Sequence, residues 1–221
     1  VTEPEAGTTT GVDSVPTDPL RELVAVMDRL RSPGGCPWDA QQTHESLVPY
    51  AVEEAFEVVE AVENGDRENL REELGDLLLQ VVFHARIAQE DPRHPWGIDE
   101  VAADLVAKLI RRHPHVFADA QTEDAEGVYR QWEQIKKAEK ARASVFDGIP
   151  LGLGALARAQ KVASRAHRTD LTVPPPADGS LGARLLALVM EAQAQGLDAE
   201  GELRRSARDW EHALRAAEST D

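Results

Sequence analysis

The segment that most restricts the fold is NLREELGDLLLQVVFHARIA, residues 69–88. Residues 77–83 are apolar nearly all round a helical wheel, which predicts a helix buried on every side. Glu73 and Asp76 stand where that run begins, three residues apart and on one face. An acid in that position faces packed protein or a bound cation, because an isolated carboxylate is costly to take out of water. A chain built around this helix must therefore supply both an apolar surround and something to face the acids.

The rest of the chain is compatible with an all-α fold. Gly and Pro separate helix-length blocks, and no segment shows sustained period-two alternation bounded by hairpin turns. The pattern predicts helices over 19–31, 43–63, 66–90, 98–112, 123–142, 153–168, 180–195 and 198–217. Asp66 can cap the third of these, Asn64-Gly65 can close the second, and Pro114 follows the fourth. With aromatic residues at 5% of the 221, the core must be mostly Leu, Val and Ala. LTVPPPADGS, 171–180, reads as a stiff linker or long loop. The expected organisation is a disordered acidic tail over 1–19, a main helical domain over 20–150 and a helical extension over 151–221.

Charge removes several function classes. Against 24 Lys and Arg stand 40 Asp and Glu, a net charge of −16, which disfavours nucleic acid and anionic lipid as partners. An anionic substrate would need a local cation. No apolar run is long enough to span a membrane, and residues 1–19 lack the basic start and apolar stretch of a secretion signal. With the single Cys36 excluding an internal disulfide, the expectation is a cytoplasmic protein.

The preceding helix carries EEAFEVVE, residues 53–60. Glu53/Glu57, Glu54/Glu57 and Glu57/Glu60 are helical neighbours, each pair costing about 0.2–0.5 kcal/mol. Val52, Ala55, Val59 and Val62 form one stripe and Glu57 points away from it, so this helix alone reads as a solvated acidic face. The short turn Asn64-Gly65-Asp66 makes the two helices antiparallel, however, and then the Glu54/Glu57 pair can face Glu73/Asp76. Four converging carboxylates require a cation or raised pKa values. Neither pair has the Glu-x-x-His spacing of a di-iron bundle, and all-oxygen ligation favours Mg2+, with Mn2+ as a substitute. Mg2+ held by carboxylates is commonly completed by substrate phosphates, which suggests a nucleoside triphosphate.

The run GGCPWDAQQTHESLVPYAVEEAFEVVEAVENGDRENLREELGDLLLQVVFHARIA, followed by LIRRHPHVF and WEQIKKAEK, closely resembles the MazG family of nucleoside triphosphate pyrophosphohydrolases, in the all-α NTP pyrophosphatase superfamily. The resemblance is strong over 20–150 and weak beyond. It implies a helical bundle whose four-helix core is completed by homodimerisation, and Mg2+-dependent hydrolysis of NTPs or dNTPs to monophosphate and pyrophosphate. Residue by residue, it implies that Glu54, Glu57, Glu73 and Asp76 bind metal and that Glu53 is a general base or supports the metal ligands.

It likewise associates Lys108, Arg111 and Arg112 with phosphate binding; the same residues also read as an ordinary surface cluster. Trp132 and Lys136 share a face at i and i+4 and match a family segment, with core packing the favoured reading of Trp132. Trp38 is the candidate for base stacking, or else anchors its own loop, and Gln42 can hydrogen-bond a base edge. Cys36 reads as inert packing, and His113 and His115 as a cap and a surface residue.

An internal repeat aligns ELGDLLLQVVF, 73–83, with SLGARLLALV, 180–189. In the second copy Ser180 replaces Glu73, Ala183 replaces Asp76, and Asp209 stands where Lys108 is expected. Residues 151–221 therefore read as a degenerate second copy, structural or dimerising, without the metal site. Two other functions fit the helices: a non-catalytic nucleotide-binding regulatory scaffold, and a partner-binding protein whose acids are solvated. The second is opposed by the apolar run beside Glu73 and Asp76.

Overall fold

The computed structural model describes residues 18–118, 144–169, 171 and 173–218, with isolated positions 124, 127, 128, 131 and 135 between them. All regular structure among them is helical. The chain divides into two compact units, 1–132 and 133–221. Apart from those isolated positions, the predicted helix over 123–142 lies outside the described residues, as do the acidic tail before residue 18, Trp132 and Lys136. No helix among the described residues is long and apolar enough to cross a membrane.

The first unit holds α1 (Pro19–Arg31), α2 (Pro37–Gln41), α3 (His44–Asn64), α4 (Arg67–Ala88), α5 (Ile98–Arg112) and α6 (Pro114–Phe117). The predicted spans of α1 and α5 match to the residue. Two short helices, α2 and α6, escaped prediction because each is less than two turns long and has no apolar period to read. Both begin on a proline, Pro37 and Pro114, whose fixed φ suits a first helical position.

The α3–α4 hairpin is dictated locally. A reciprocal capping box opens α3: Ser46 N donates to Thr43 Oγ1 at 3.2 Å, and Thr43 N donates to Ser46 Oγ at 3.0 Å. Gly65 closes it in the left-handed region at φ 67°, where a side chain would be strained. Its N–H donates to Val62 O, and that of Asp66 donates to Ala61 O. Asp66 then caps α4, accepting from Glu68 N at 3.1 Å and Asn69 N at 3.0 Å. The capping expected of Asn64-Gly65 and Asp66 is thus present. So tight a reversal lays the helices antiparallel and in close contact.

Met27, Leu47, Val82 and Phe83 form the buried core, with Leu23, Val24, Leu30, Leu78, Leu79, Ile87 and Ile98 packed around them. The C-terminal half of α4 is thereby wedged between α1 and α3. The expectation of burial on every side is corrected here, since Val81 remains 42% exposed within the chain.

The second unit contains α7 (Ala155–Ala166), α8 (Leu181–Ala194) and α9 (Ala199–Glu218). The glycine before α7 has no side chain to cap it, and the carboxylate of Glu200 on α9 does so instead, accepting from Ala157 N at 3.2 Å. In return, Gln160 on α7 accepts from Ala199 N at 2.8 Å and donates to Leu197 O at 2.6 Å. Ser180, which stands where the first copy has Glu73, caps α8 by accepting from Ala183 N at 3.1 Å. The proline-rich stretch is an exposed loop between α7 and α8, within this unit.

Candidate metal centre

Antiparallel packing brings the acids of α3 onto those of α4. One carboxylate oxygen each from Glu54, Glu57 and Glu73 lies within 4.8 Å of the others, and all three residues are half-buried. Asp76, also half-buried, lies outside that trio but close enough to act on it electrostatically. Glu53 and Glu60 are exposed.

This is the orientation that the antiparallel turn implies, and it overturns the solvated acidic face that α3 suggests when taken alone. Val52, Ala55 and Val62 of the predicted core stripe are exposed, as is Phe56, while the acids point into the seam. The angular relation between stripe and acids follows the helical period, and the hairpin turns the acid-bearing face toward α4, as the antiparallel arrangement of the two acid pairs implies. Periodicity separates two faces of a helix but does not say which one the hairpin buries.

The electrostatics of the seam call for a cation. Glu54 is held above the ordinary carboxyl range by desolvation first, then by a hydrogen bond shared with Glu57, then by the charges of Asp76, Glu57 and Glu73. Glu73 is raised as well, by desolvation and then by Glu57, Asp76 and Glu72. The neighbouring charges that raise Glu54 and Glu73 are those of carboxylates. An all-oxygen, multiply anionic donor set of this kind fits a hard divalent cation.

The other predicted site residues are distributed around the unit. Lys108 and Arg111 are exposed and Arg112 half-buried on α5, a helix with no fully buried residue. Trp38, on α2, is 51% exposed, and its ring meets that of Tyr50 on α3 edge-on, with centroids 6.2 Å apart and planes at 79°. Gln42 turns inward: its Nε2 donates to Trp38 O at 2.9 Å and its Oε1 accepts from Ser46 Oγ at 2.7 Å. Cys36 is a free thiol at the N-cap of α2. His113 forms the junction of α5 and α6, with its Nδ1 donating to Leu109 O at 2.7 Å. His115 is half-buried with Nδ1 enclosed and unpartnered, so it is not the surface residue expected.

Three features were missed in the sequence. Arg31, at 4% side-chain exposure, donates to Glu90 Oε2 at 2.8 Å, to Gln42 O at 3.2 Å and to Asp39 O, and stacks over Phe83 at 5.5 Å. It ties the segment bearing Trp38 to the core. His44 and His84 meet across the hairpin, Nδ1 to Nδ1 at 2.7 Å, with their rings stacked in nearly parallel planes and centroids 5.0 Å apart. Gln80 is buried one turn beyond Asp76, its Oε1 without a partner among the described residues. The i, i+4, i+8 series Asp76, Gln80, His84 was the available signal for a polar line along α4.

Comparison with known proteins gives this geometry a family. The profile of the MazG nucleotide pyrophosphohydrolase domain matches residues 42–117, which span α3 to α6 and include every acid of the seam. An uncharacterised 26.1 kDa protein of Streptomyces cacaoi is 51% identical over 210 residues, covering 94% of this chain and 86% of that one. The nucleoside triphosphate pyrophosphohydrolase of Escherichia coli K12 is 49% identical over 150 residues, covering 66% of this chain, which spans 56% of that relative's length. Among solved structures, a MazG-related protein from Thermotoga maritima aligns with a TM-score of 0.45 at 30% identity, over 53% of this chain and 98% of its own. With its acid-bearing hairpin inside the matched segment, the chain belongs to the MazG nucleotide pyrophosphohydrolase family.

Proposed function

We propose that the protein is an Mg2+-dependent nucleoside triphosphate pyrophosphohydrolase, converting NTPs or dNTPs to monophosphates and pyrophosphate. The observation that carries this reading is the cluster of Glu54, Glu57 and Glu73 carboxylates, two of them with raised pKa, inside the segment matched to the family. Glu54, Glu57, Glu73 and Asp76 would hold the metal. A bound divalent cation neutralises phosphate oxygens and lowers the pKa of a coordinated water. The chain's own part is to bind and orient the triphosphate and to accept the proton of the attacking water as a P–O bond of the anhydride breaks. Glu53, exposed and adjacent to Glu54, takes that proton. Lys108, Arg111 and Arg112 supply positive charge for the phosphates, and Trp38 supplies a stacking surface for the base.

A homodimer belongs to the same proposal. Val52, Phe56 and Val62 on α3 and Leu105, Val106, Leu109 and Ile110 on α5 are each 44–59% exposed, apolar surface on two helices that a second copy would cover. The proposed role is removal of unwanted nucleotides from the cytoplasmic pool, with neither nucleic acid nor membrane as partner.

The test is a panel of NTPs, dNTPs and modified dNTPs assayed for pyrophosphate with and without Mg2+. The expected result is metal-dependent release of pyrophosphate and monophosphate, reduced at least about 100-fold in Glu54→Ala and Asp76→Ala, a range typical of lost electrostatic groups. Release of orthophosphate alone, or full activity in both variants, overturns the mechanism. Calorimetric binding of nucleotide with no product would instead select a regulatory scaffold.

A further inference from the structure

We propose that Tyr50 is a nucleobase-binding residue, forming with Trp38 an aromatic corner that receives the base of the bound nucleotide. This inference rests on the nucleotide reading above and extends it to a residue with no role assigned so far. Tyr50 precedes Glu54 by four residues and Glu57 by seven. At 3.6 residues per turn its direction from the α3 axis is within roughly 40° of Glu54 and roughly 20° of Glu57, and it stands about 6 Å along the axis from Glu54. The ring therefore shares the acid-bearing face, one turn from the groups that would hold the phosphates.

Its surroundings favour a ligand over core packing. Tyr50 remains 41% exposed and Trp38 51% exposed, although each ring is large enough to be a major core residue. The two rings meet edge to face at 79°, so a planar group stacked on either one lies with its rim against the other. The corner is held in place from behind. Gln42 donates to the Trp38 carbonyl, and Arg31 donates to the Asp39 and Gln42 carbonyls on either side of α2's end. With its amide engaged in that support, Gln42 is a positioning residue, and stacking on Tyr50 and Trp38 becomes the main contact to the base. Stacking of this kind tolerates any base because every base presents a π-face.

The experiment compares equilibrium binding, in the presence of Mg2+, of a non-hydrolysable nucleoside triphosphate and of inorganic tripolyphosphate, which offers the phosphates without a base. Tyr50→Leu is expected to weaken nucleotide binding about tenfold or more, the scale of one lost base–aromatic stack. Its tripolyphosphate affinity should match wild type, and Tyr50→Phe should bind both ligands normally. Unchanged nucleotide affinity in Tyr50→Leu overturns the proposal. So does an equal loss for both ligands, or a changed sedimentation coefficient, either of which would assign the ring to folding or to contact between copies. Because the assay needs no turnover, a wild-type protein that binds nucleotide but releases no pyrophosphate removes the proposed activity and leaves Tyr50 standing. Hydrolysis by wild type with undiminished nucleotide affinity in Tyr50→Leu does the reverse.

Discussion

At the scale of single residues, the α3–α4 seam carries titratable groups at two levels. The acids occupy the half nearer the turn, and His44 with His84 the far half. His84 is held below the usual imidazole value of 6.5, by desolvation first and then by the charge of His44. The unfolded chain therefore takes up this proton at higher pH than the folded one does. Stability from His84 is present above about pH 6.5 and is lost as pH falls toward its depressed folded value. Glu90 and Asp91 of the following loop, together with Arg93, line the same hollow as His44. Relative to His84→Leu, the wild-type protein is expected to lose thermal stability between pH 7 and 5, against the opposite contribution of the raised Glu54 and Glu73 that both proteins share, as calorimetry across that range will measure. Superimposable profiles for variant and wild type would show that the dyad contributes nothing to the pH response.

Among the elements, the short α2 owes its position to a neighbour in space. Arg31 reaches from the end of α1 to the carbonyls of Asp39 and Gln42, and its other face meets Glu90. Arg86 adds a second tie between α1 and α4 by donating to Asp28 Oδ1 at 2.7 Å. Removing the Arg31 guanidinium leaves two backbone acceptors short of a charged donor, while Glu90, 43% exposed, can rehydrate. Arg31→Met should destabilise the protein by about 2–3 kcal/mol, the scale of hydrogen bonds to a charged group. Urea denaturation measures it, and a loss under about 0.5 kcal/mol, ordinary for surface substitutions, would mean that the guanidinium does not support α2.

For the molecule as a whole, the exposed apolar stripe of α3 is the feature with the largest consequence. Its burial by a second copy is the contact on which the proposed homodimer rests. Phe56, at 59% exposure, lies in the middle of that stripe. Phe56→Glu is expected to convert a dimer to a monomer in sedimentation while leaving the helical circular dichroism spectrum intact, since the side chain has little to lose within its own chain. A wild-type protein that sediments as a monomer would remove the second copy as the partner of this face.

Much of this architecture is local and so was legible in the sequence. Gly65 and Asp66 carry their own reason for ending one helix and starting the next, and the carboxylate spacing on each helix follows from 3.6 residues per turn. The helical class and the presence of two opposing acid pairs needed nothing beyond chain-local physics and the length of one turn. What the tertiary structure decided is how far that acid-bearing face is taken out of water, leaving Glu54 and Glu57 half-buried while Val52 and Phe56 stay exposed. It also decided that Arg31 would hold α2, that Gln42 would turn inward, and that Tyr50 would meet Trp38. The Arg31 and Tyr50 contacts join separate elements, which no single helical period encodes, and that period is the same whichever of its faces the fold turns inward.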